Sequence, residues 1–224
     1  MTASLSLCAI AYQEEQFLGG MLASAYDMVD EIIVGLDTRT TDRTCEIAET
    51  FGAKIVPVVW RDDFAYARNL TLAAARGDWI LILDADERLT PAGAAAVREI
   101  VTVASVEPTD ESVTGIAFML AEYDLAGVLF SVLPTSKRLF RRRPEIAFVR
   151  RVHEEPVWLP DPDRTQLALI GGEPAIRHVG HCPELWEGRH KRERNLRLLQ
   201  MQLAEHPEDT YARAKLAQLE ALPV

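Results

Sequence analysis

The stretch "WILILDADERLT", residues 79–90, carries an apolar run from Trp79 to Leu83 directly into Asp84, Asp86 and Glu87. A short unbroken apolar run bounded by polar residues is the pattern of a strand covered on both faces, as in parallel sheets. Its carboxyl end is where an open α/β sheet exposes polar groups above a dry core and binds its ligands. Two carboxylates at i and i+2 suit a hard divalent cation, one binding it directly while the other reaches a bound water or a substrate hydroxyl. Taken alone, the stretch favours a plainer reading: a polar turn leading into a helix that opens at Thr90 and Pro91. The surroundings decide.

Working outward, "LSLCAIA" (5–11), "EIIVGL" (31–36) and "KIVPVVW" (54–60) read as strands, with Pro57 marking an edge or an irregularity. Helices are expected over 14–29, over 41–53 with Thr41 as N-cap and Gly52 as stop, over 64–78 ending at Gly77, and over 90–104. Asp62 and Asp63 precede the third of these and are expected to cap it. Such alternation predicts parallel βαβ units with helices on both sheet faces. Further on, 112–124, 127–133, 136–142 and 146–152 are short strand-like runs that predict an antiparallel addition to the sheet. From Pro183 the pattern turns helical: 184–206, a break at Pro207, then 210–222, with Leu196, Leu199 and Leu203 on one stripe. The pair resembles one tetratricopeptide unit. The expected organisation is an α/β domain over 1–182 and a helical extension over 183–224, the latter a candidate surface for partner docking or oligomerisation.

A formal net charge of -10 argues against a nucleic-acid binder, whose footprint would be a basic face. No run of 18 apolar residues predicts a transmembrane helix, and the N-terminus lacks the basic leader of a secretion signal. Cys8, Cys45 and Cys182 are odd in number and far apart, which fits reduced thiols rather than a disulfide frame or zinc site. The expected location is cytoplasmic, with a peripheral position at the inner membrane face left open.

Several segments fall together in one order: "SLCAIAYQEEQFLGGMLAS", "VDEIIVGLDTRTTDRTCEIAETFGAKI", "WRDDFAYARNLTLAAARGDWILILDADE", "RLFRRRPEIAFVRRVHEE" and "IRHVGH" with "KRERNLRLLQMQLAEHPED". Together they resemble the family-2 glycosyltransferases of GT-A fold. The resemblance is nearest to the branch of lipopolysaccharide-core glucosyltransferases and peptide S-glycosyltransferases, whose catalytic domain is often followed by tetratricopeptide repeats. Two departures stand out. Tyr12-Gln13-Glu14-Glu15 replaces a basic residue followed by Asn-Glu-Glu, and Arg39 in "DTRTTD" occupies a glycine position where a side chain crowds or grips the nucleotide.

The resemblance implies a GT-A, Rossmann-like mixed sheet flanked by helices and an inverting, metal-dependent transfer from a UDP-linked sugar. Asp37 matches the residue that contacts the nucleobase, with Ala11, Tyr12 and Glu14 over the nucleoside and Arg68 near the nucleotide. Phe64, Arg68 and Leu72 share one helical face, so the guanidinium lies on an apolar stripe and needs an anionic partner. Asp84 and Asp86 match the site of Mn²⁺ or Mg²⁺: Asp86 the direct ligand, Asp84 nearer the ribose or a metal water, Ala85 between them. His178 is a further metal or diphosphate ligand, ahead of His181. Glu154 in "VHEE" is the base that deprotonates the acceptor, with His153 beside it and Glu155 as fallback. The partners implied are a nucleotide-sugar donor and a glycan, lipid-linked glycan or peptide acceptor, through oxygen or sulfur. Arg141–Arg143 with Arg150–Arg151 read first as a solvated basic edge.

Other readings rank lower. A haloacid-dehalogenase phosphatase also places DxD after an apolar strand, but near its N-terminus and with Thr or Val where Arg88 stands here. A nucleotidyltransferase opens with a glycine-rich basic loop that "AYQEEQF" does not provide. A non-catalytic docking module on the same fold is the remaining alternative.

Overall fold

The computed structural model describes residues 3–103, 113–135, 137–161, 166–180 and 190–221. Four parallel strands form the first half: β1 (Leu5–Ala11), β2 (Glu31–Asp37), β3 (Lys54–Val58) and β4 (Trp79–Ile82), in the spatial order β3-β2-β1-β4. β3, with its Pro57, lies at the edge of the sheet, where a residue without an N–H costs no central ladder bond. β4 is buried throughout, and its side chains alternate between two cores. Trp79, Leu81 and Leu83 pack with Leu5, Leu7 and Ala9 on one face, while Ile80 and Ile82 pack with Cys8 and Ile33 on the other. This double burial explains why the strand reads as a continuous apolar run rather than an alternating one.

Helices α1 (Leu18–Ala25), α2 (Thr44–Thr50) and α4 (Pro91–Val103) contribute Leu18, Met21, Leu22, Ala48 and Val97 to the first core. Helix α3 (Phe64–Ala74) covers the second through Ala65. Thr90 caps α4 as expected, its Oγ1 accepting the Gly93 N–H at 3.0 Å, and Asp63 caps α3 by accepting the Tyr66 N–H at 2.9 Å. Asp62 does not share that role.

Three helices are shorter than expected, and side chains distant in sequence meet their ends. Residues 14–17 form a turn closed onto Glu14 O, and the Glu14 and Glu15 N–H groups are bound by Thr44 Oγ1 and Asp42. α2 begins at Thr44 rather than Thr41: Asp42 Oδ1 accepts the Thr44 N–H at 3.0 Å, and Gln13 Oε1 binds the Thr41 and Asp42 N–H groups ahead of the helix at 3.0 and 3.1 Å. α3 ends before Gly77, whose N–H is bound by Ser6 Oγ and Glu31.

In the second half, β6 (Val113–Tyr123) is the spine. It pairs antiparallel with β7 (Leu129–Pro134) and β8 (Leu139–Arg141), and β8 joins antiparallel to β4. The addition is not wholly antiparallel. β11 (Gln166–Ile170) and β12 (Ile176–His178) run parallel to β6, and β12 pairs antiparallel with the three-residue β5 (Glu87–Leu89). β9 (Ile146–Val149) and β10 (Glu155–Trp158) form a separate two-stranded ribbon.

The chain closes with α5 (Lys191–Glu205) and α6 (Thr210–Glu220), the latter capped by Asp209; the expected helical residues 184–189 and 222 lie outside the described residues. The buried stripe of α5 is Lys191, Asn195, Leu198, Leu199 and Gln202, rotated from the expected leucine stripe and half polar. Among the described residues no helix is long and apolar enough to cross a membrane.

Candidate active site

The carboxyl ends of β1, β2 and β4 open into a cleft of about 1270 Å³, walled on its far side by β6 and β7, by Thr135, Lys137 and Arg138, by the 152–155 loop, and by α5 and α6. Every residue singled out from the sequence as a site candidate within the described chain lines this cleft: Ala11, Tyr12, Glu14, Asp37, Arg68, Asp84, Ala85, Asp86, His153, Glu154 and His178. His181 lies outside the described residues.

At the end of β2, Asp37 is buried and both its oxygens are engaged by Arg39. The Arg39 main-chain N–H and Nε donate to Oδ1 at 2.9 and 3.0 Å, and Nη2 donates to Oδ2 at 2.6 Å. The same guanidinium lies 5.1 Å from the centre of the exposed Tyr12 ring. Arg39 therefore grips Asp37 itself. Burial works against ionisation of Asp37, but the hydrogen bonds from Arg39 outweigh it and hold the carboxyl below its ordinary range.

Deeper in the cleft, Arg68 answers the question its apolar stripe raised. Its guanidinium is buried, donates from Nη2 to Asp84 Oδ1 at 2.5 Å and from Nε to Glu154 Oε1 at 3.0 Å, and lies over the Phe148 ring. Nη1 has no hydrogen-bond partner among the described residues. Arg138 supports the other side, donating from Nη2 to Asp84 Oδ2 at 3.1 Å and to Glu87 Oε1 at 2.5 Å. Glu87 Oε2 in turn accepts the Asp84 N–H at 2.8 Å, so Glu87 is a hydrogen-bonding neighbour that fixes the turn. Burial pushes the Glu87 carboxyl up to about 7 against the attraction of Arg138. For Asp84, burial is overcome by Arg68 and then Arg138, which keep it firmly ionised. Asp84 is thus held at both oxygens by guanidinium groups.

Asp86 has different company. Its Oδ1 lies 3.5 Å from His178 Nε2, Oδ2 lies 3.9 Å from Lys191 Nζ, and His178 Nδ1 lies 3.7 Å from Glu122 Oε1. Burial disfavours the charged forms of both Asp86 and His178, but their mutual contact dominates, lowering the carboxyl and raising the imidazole. β12 brings His178 here through its pairing of His178 with Glu87, so the three-residue strand β5 is what joins the two ligand candidates. Gly180 lies against them: a Cβ at that position would stand 2.0 Å from Asp86 Oδ2 and 2.6 Å from His178 Nε2.

On the far wall of the cleft, the "VHEE" loop is held by the C-terminal helices. Val152 packs with Leu198, Leu199 and Ala212. The Arg151 N–H donates to Gln202 Oε1 at 3.0 Å, and its guanidinium grips Glu205 and the Arg61 and Asp62 carbonyls. Arg197 of α5 makes a two-pronged bond to Asp62 at 2.7 Å for each prong. Glu155 is paired with Arg150 at 2.6 Å, and the His153 ring meets Tyr211 edge-on. Arg150 and Arg151 are therefore structural clamps rather than a solvated edge.

The family model described as glycosyl transferase family 2 matches residues 6–149. The chain belongs to this family. A TPR repeat-containing protein of Synechococcus elongatus is 39% identical over 227 residues, covering 97% of this family-2 chain and 52% of that protein. The SPbeta prophage-derived glycosyltransferase SunS of Bacillus subtilis is 30% identical over 158 residues, covering 70% of this chain and 35% of SunS. The chain thus spans about half or less of the length of these curated relatives. Among solved structures, S. aureus TarS (residues 1–349) aligns with a TM-score of 0.55 and 14% identity over 96% of this chain and 70% of that one. That likeness is one of fold, and with the mixed sheet and flanking helices it identifies the architecture as GT-A.

Arg138, Glu122, Lys137 and Lys191 line this family-2 site without having been singled out from the sequence. Arg138 sits in "SKRLFRR" among residues that alternate like an ordinary strand. Bonds from the Ile82 N–H to Arg138 O and from the Arg138 N–H to Ile116 O, both 2.8 Å, bring it beside Asp84.

Proposed function

We propose that this family-2 chain transfers a sugar, with inversion, from a UDP-linked donor to a hydroxyl or thiol of a glycan, lipid-linked glycan or peptide, with Mn²⁺ or Mg²⁺ as cofactor. The observation that carries this reading is Arg68. One buried guanidinium joins Asp84, at the donor end of β4, to Glu154, on the acceptor loop, through bonds of 2.5 and 3.0 Å. A donor's anomeric carbon and an acceptor's nucleophile meet where those two sides meet.

The residues fit the metal. Asp86 and His178 form an adjacent pair beside a glycine cradle that a Cβ would fill. Among the described residues no set of three His, Cys, Asp or Glu side chains forms a complete cage. A pair suits a cation that takes its remaining ligands from water and substrate phosphates. When bound, the cation would neutralise charge growing on the departing diphosphate. Asp37 and Tyr12 seat the nucleoside, and Asp84, fixed by Arg68 and Arg138, accepts a hydrogen bond from ribose or a metal water. Glu154, whose second oxygen has no partner among the described residues, takes the acceptor's proton. The acceptor atom bonds to the anomeric carbon as the bond from that carbon to the phosphate oxygen breaks, and the electron pair leaves on the diphosphate.

The test is donor turnover with and without chelator in wild type, D86A and E154Q. Loss in chelator and in both variants, with folding intact, is the expected result. Metal-dependent turnover at wild-type efficiency in D86A would overturn the assignment of the site.

A further inference from the structure

Lys137 is the one lysine whose burial the donor-side chemistry above does not use. It is 3% exposed, yet it lines the cleft beside Thr135, Pro156 and the 152–155 loop. Its ammonium donates to Pro156 O at 2.7 Å, which uses one of three N–H groups, and no carboxylate of the described residues comes within 4.0 Å of it. The nearest candidate, Glu155, is taken by Arg150 at 2.6 Å, and Arg150 also approaches Asp209 at 3.4 Å. Thr135 is in a similar position: its Oγ1 accepts the Phe118 N–H at 3.1 Å, and its own O–H has no acceptor among the described residues.

A buried ammonium with a single carbonyl partner is costly unless an anion completes it. The chain nevertheless makes room for it. A Cβ on Gly115 would lie 2.8 Å from Cβ, Cγ and Cδ of Lys137, so only glycine lets the stem pass. Burial also lowers the pKa of the ammonium, against the attraction of Glu155. The diphosphate is served by Arg68 and the metal pair, whereas the Lys137 ammonium is bound to the Pro156 carbonyl of β10, the strand that follows the acceptor loop.

We propose that Lys137, with the Thr135 hydroxyl, is the anion seat of the acceptor subsite: the molecule receiving the sugar carries a phosphate or carboxylate that completes this lysine. The inference rests on the glycosyltransfer reading for the word acceptor, but the seat itself does not.

The experiment titrates inorganic phosphate and, separately, acetate into the protein saturated with UDP and Mg²⁺, followed by calorimetry, for wild type and K137M. The methionine fills the same channel past Gly115 without charge; K137Q replaces it if its melting is not cooperative. Expected is binding to wild type that weakens about tenfold or more in the variant, the loss of a charged hydrogen bond, with UDP affinity unchanged. The probe that binds more tightly identifies the group, phosphate or carboxylate. Equal binding to wild type and variant, or no binding of either anion to wild type, overturns the proposal. Failure of UDP to bind, with Lys137-dependent anion binding retained, strikes the donor reading and leaves the seat standing.

Discussion

Replacing Gly180 by alanine tests the metal pair with a single methyl group. The added Cβ would stand 2.0 Å from Asp86 Oδ2 and 2.6 Å from His178 Nε2, whereas even a tight contact needs 3.0 Å. The main chain at Gly180 is not free to retreat, because its carbonyl accepts from the buried Lys191 Nζ at 2.7 Å. The Asp86 carboxylate must therefore swing by about 1 Å and part from His178. A misplacement of about 1 Å costs on the order of 10²-fold in rate, or about 2.7 kcal/mol in the barrier. The assay is donor turnover across a Mn²⁺ titration, alongside thermal melting. We expect G180A to keep its fold, to need more metal for half-maximal rate and to turn over about 10²-fold more slowly at limiting metal. Wild-type turnover with unchanged metal affinity would refute the reasoning, since the carboxylate cannot keep both its position and a methyl group.

R138M leaves Asp84 and Glu87 with one guanidinium fewer in a buried site, and breaking such a network should destabilise the protein by about 3–5 kcal/mol, read from denaturant melts. L198A removes a fully buried side chain packed on Val152 and should cost about 2–5 kcal/mol in the same melts, lowering kcat more than UDP affinity because the acceptor loop loses its support. Acid should loosen the contact between α5 and the first half: bonds from Arg197 lower Asp62 from 3.8 to about 2. A depressed carboxyl contributes stability that is complete above its unfolded value and disappears as pH falls through its folded one. The difference in stability between wild type and D62N should thus shrink between pH 4 and 2, from about 1 kcal/mol after allowance for solvent around the pair.

Much of the first half could be read residue by residue because its signals are local. The apolar run of β4, the Thr90–Pro91 cap and the Asp63 cap each depend on neighbours within a few positions. The site candidates came from motif order, and the cleft gathers them. Helix ends depend on side chains distant in sequence: Glu31 takes the Gly77 N–H that would have extended α3, and Gln13 binds the N–H groups ahead of α2. The strands β5 and β12 are three residues long and acquire meaning only from pairing across some ninety positions. Polar residues on the buried stripe of α5 break a simple amphipathic pattern because Lys191 and Asn195 face the cleft and Gln202 holds the Arg151 N–H, beside the apolar packing of Leu198 and Leu199. Arg138 and Lys137 were illegible for the same reason: their partners are set by strand pairing and by a glycine on another strand.

The clamp of Arg151 and Val152 by Gln202, Glu205, Leu198 and Ala212 has a consequence for anyone recombining this protein with its relatives. A chimera that grafts a foreign helical tail onto this first half would inherit a proposed acceptor loop with no one to hold it. The loop from Arg150 to Glu155 and the helices from Lys191 to Ala212 form one inheritable cassette despite the thirty-odd residues of chain between them. Acceptor preference should travel between relatives only when both pieces are exchanged together.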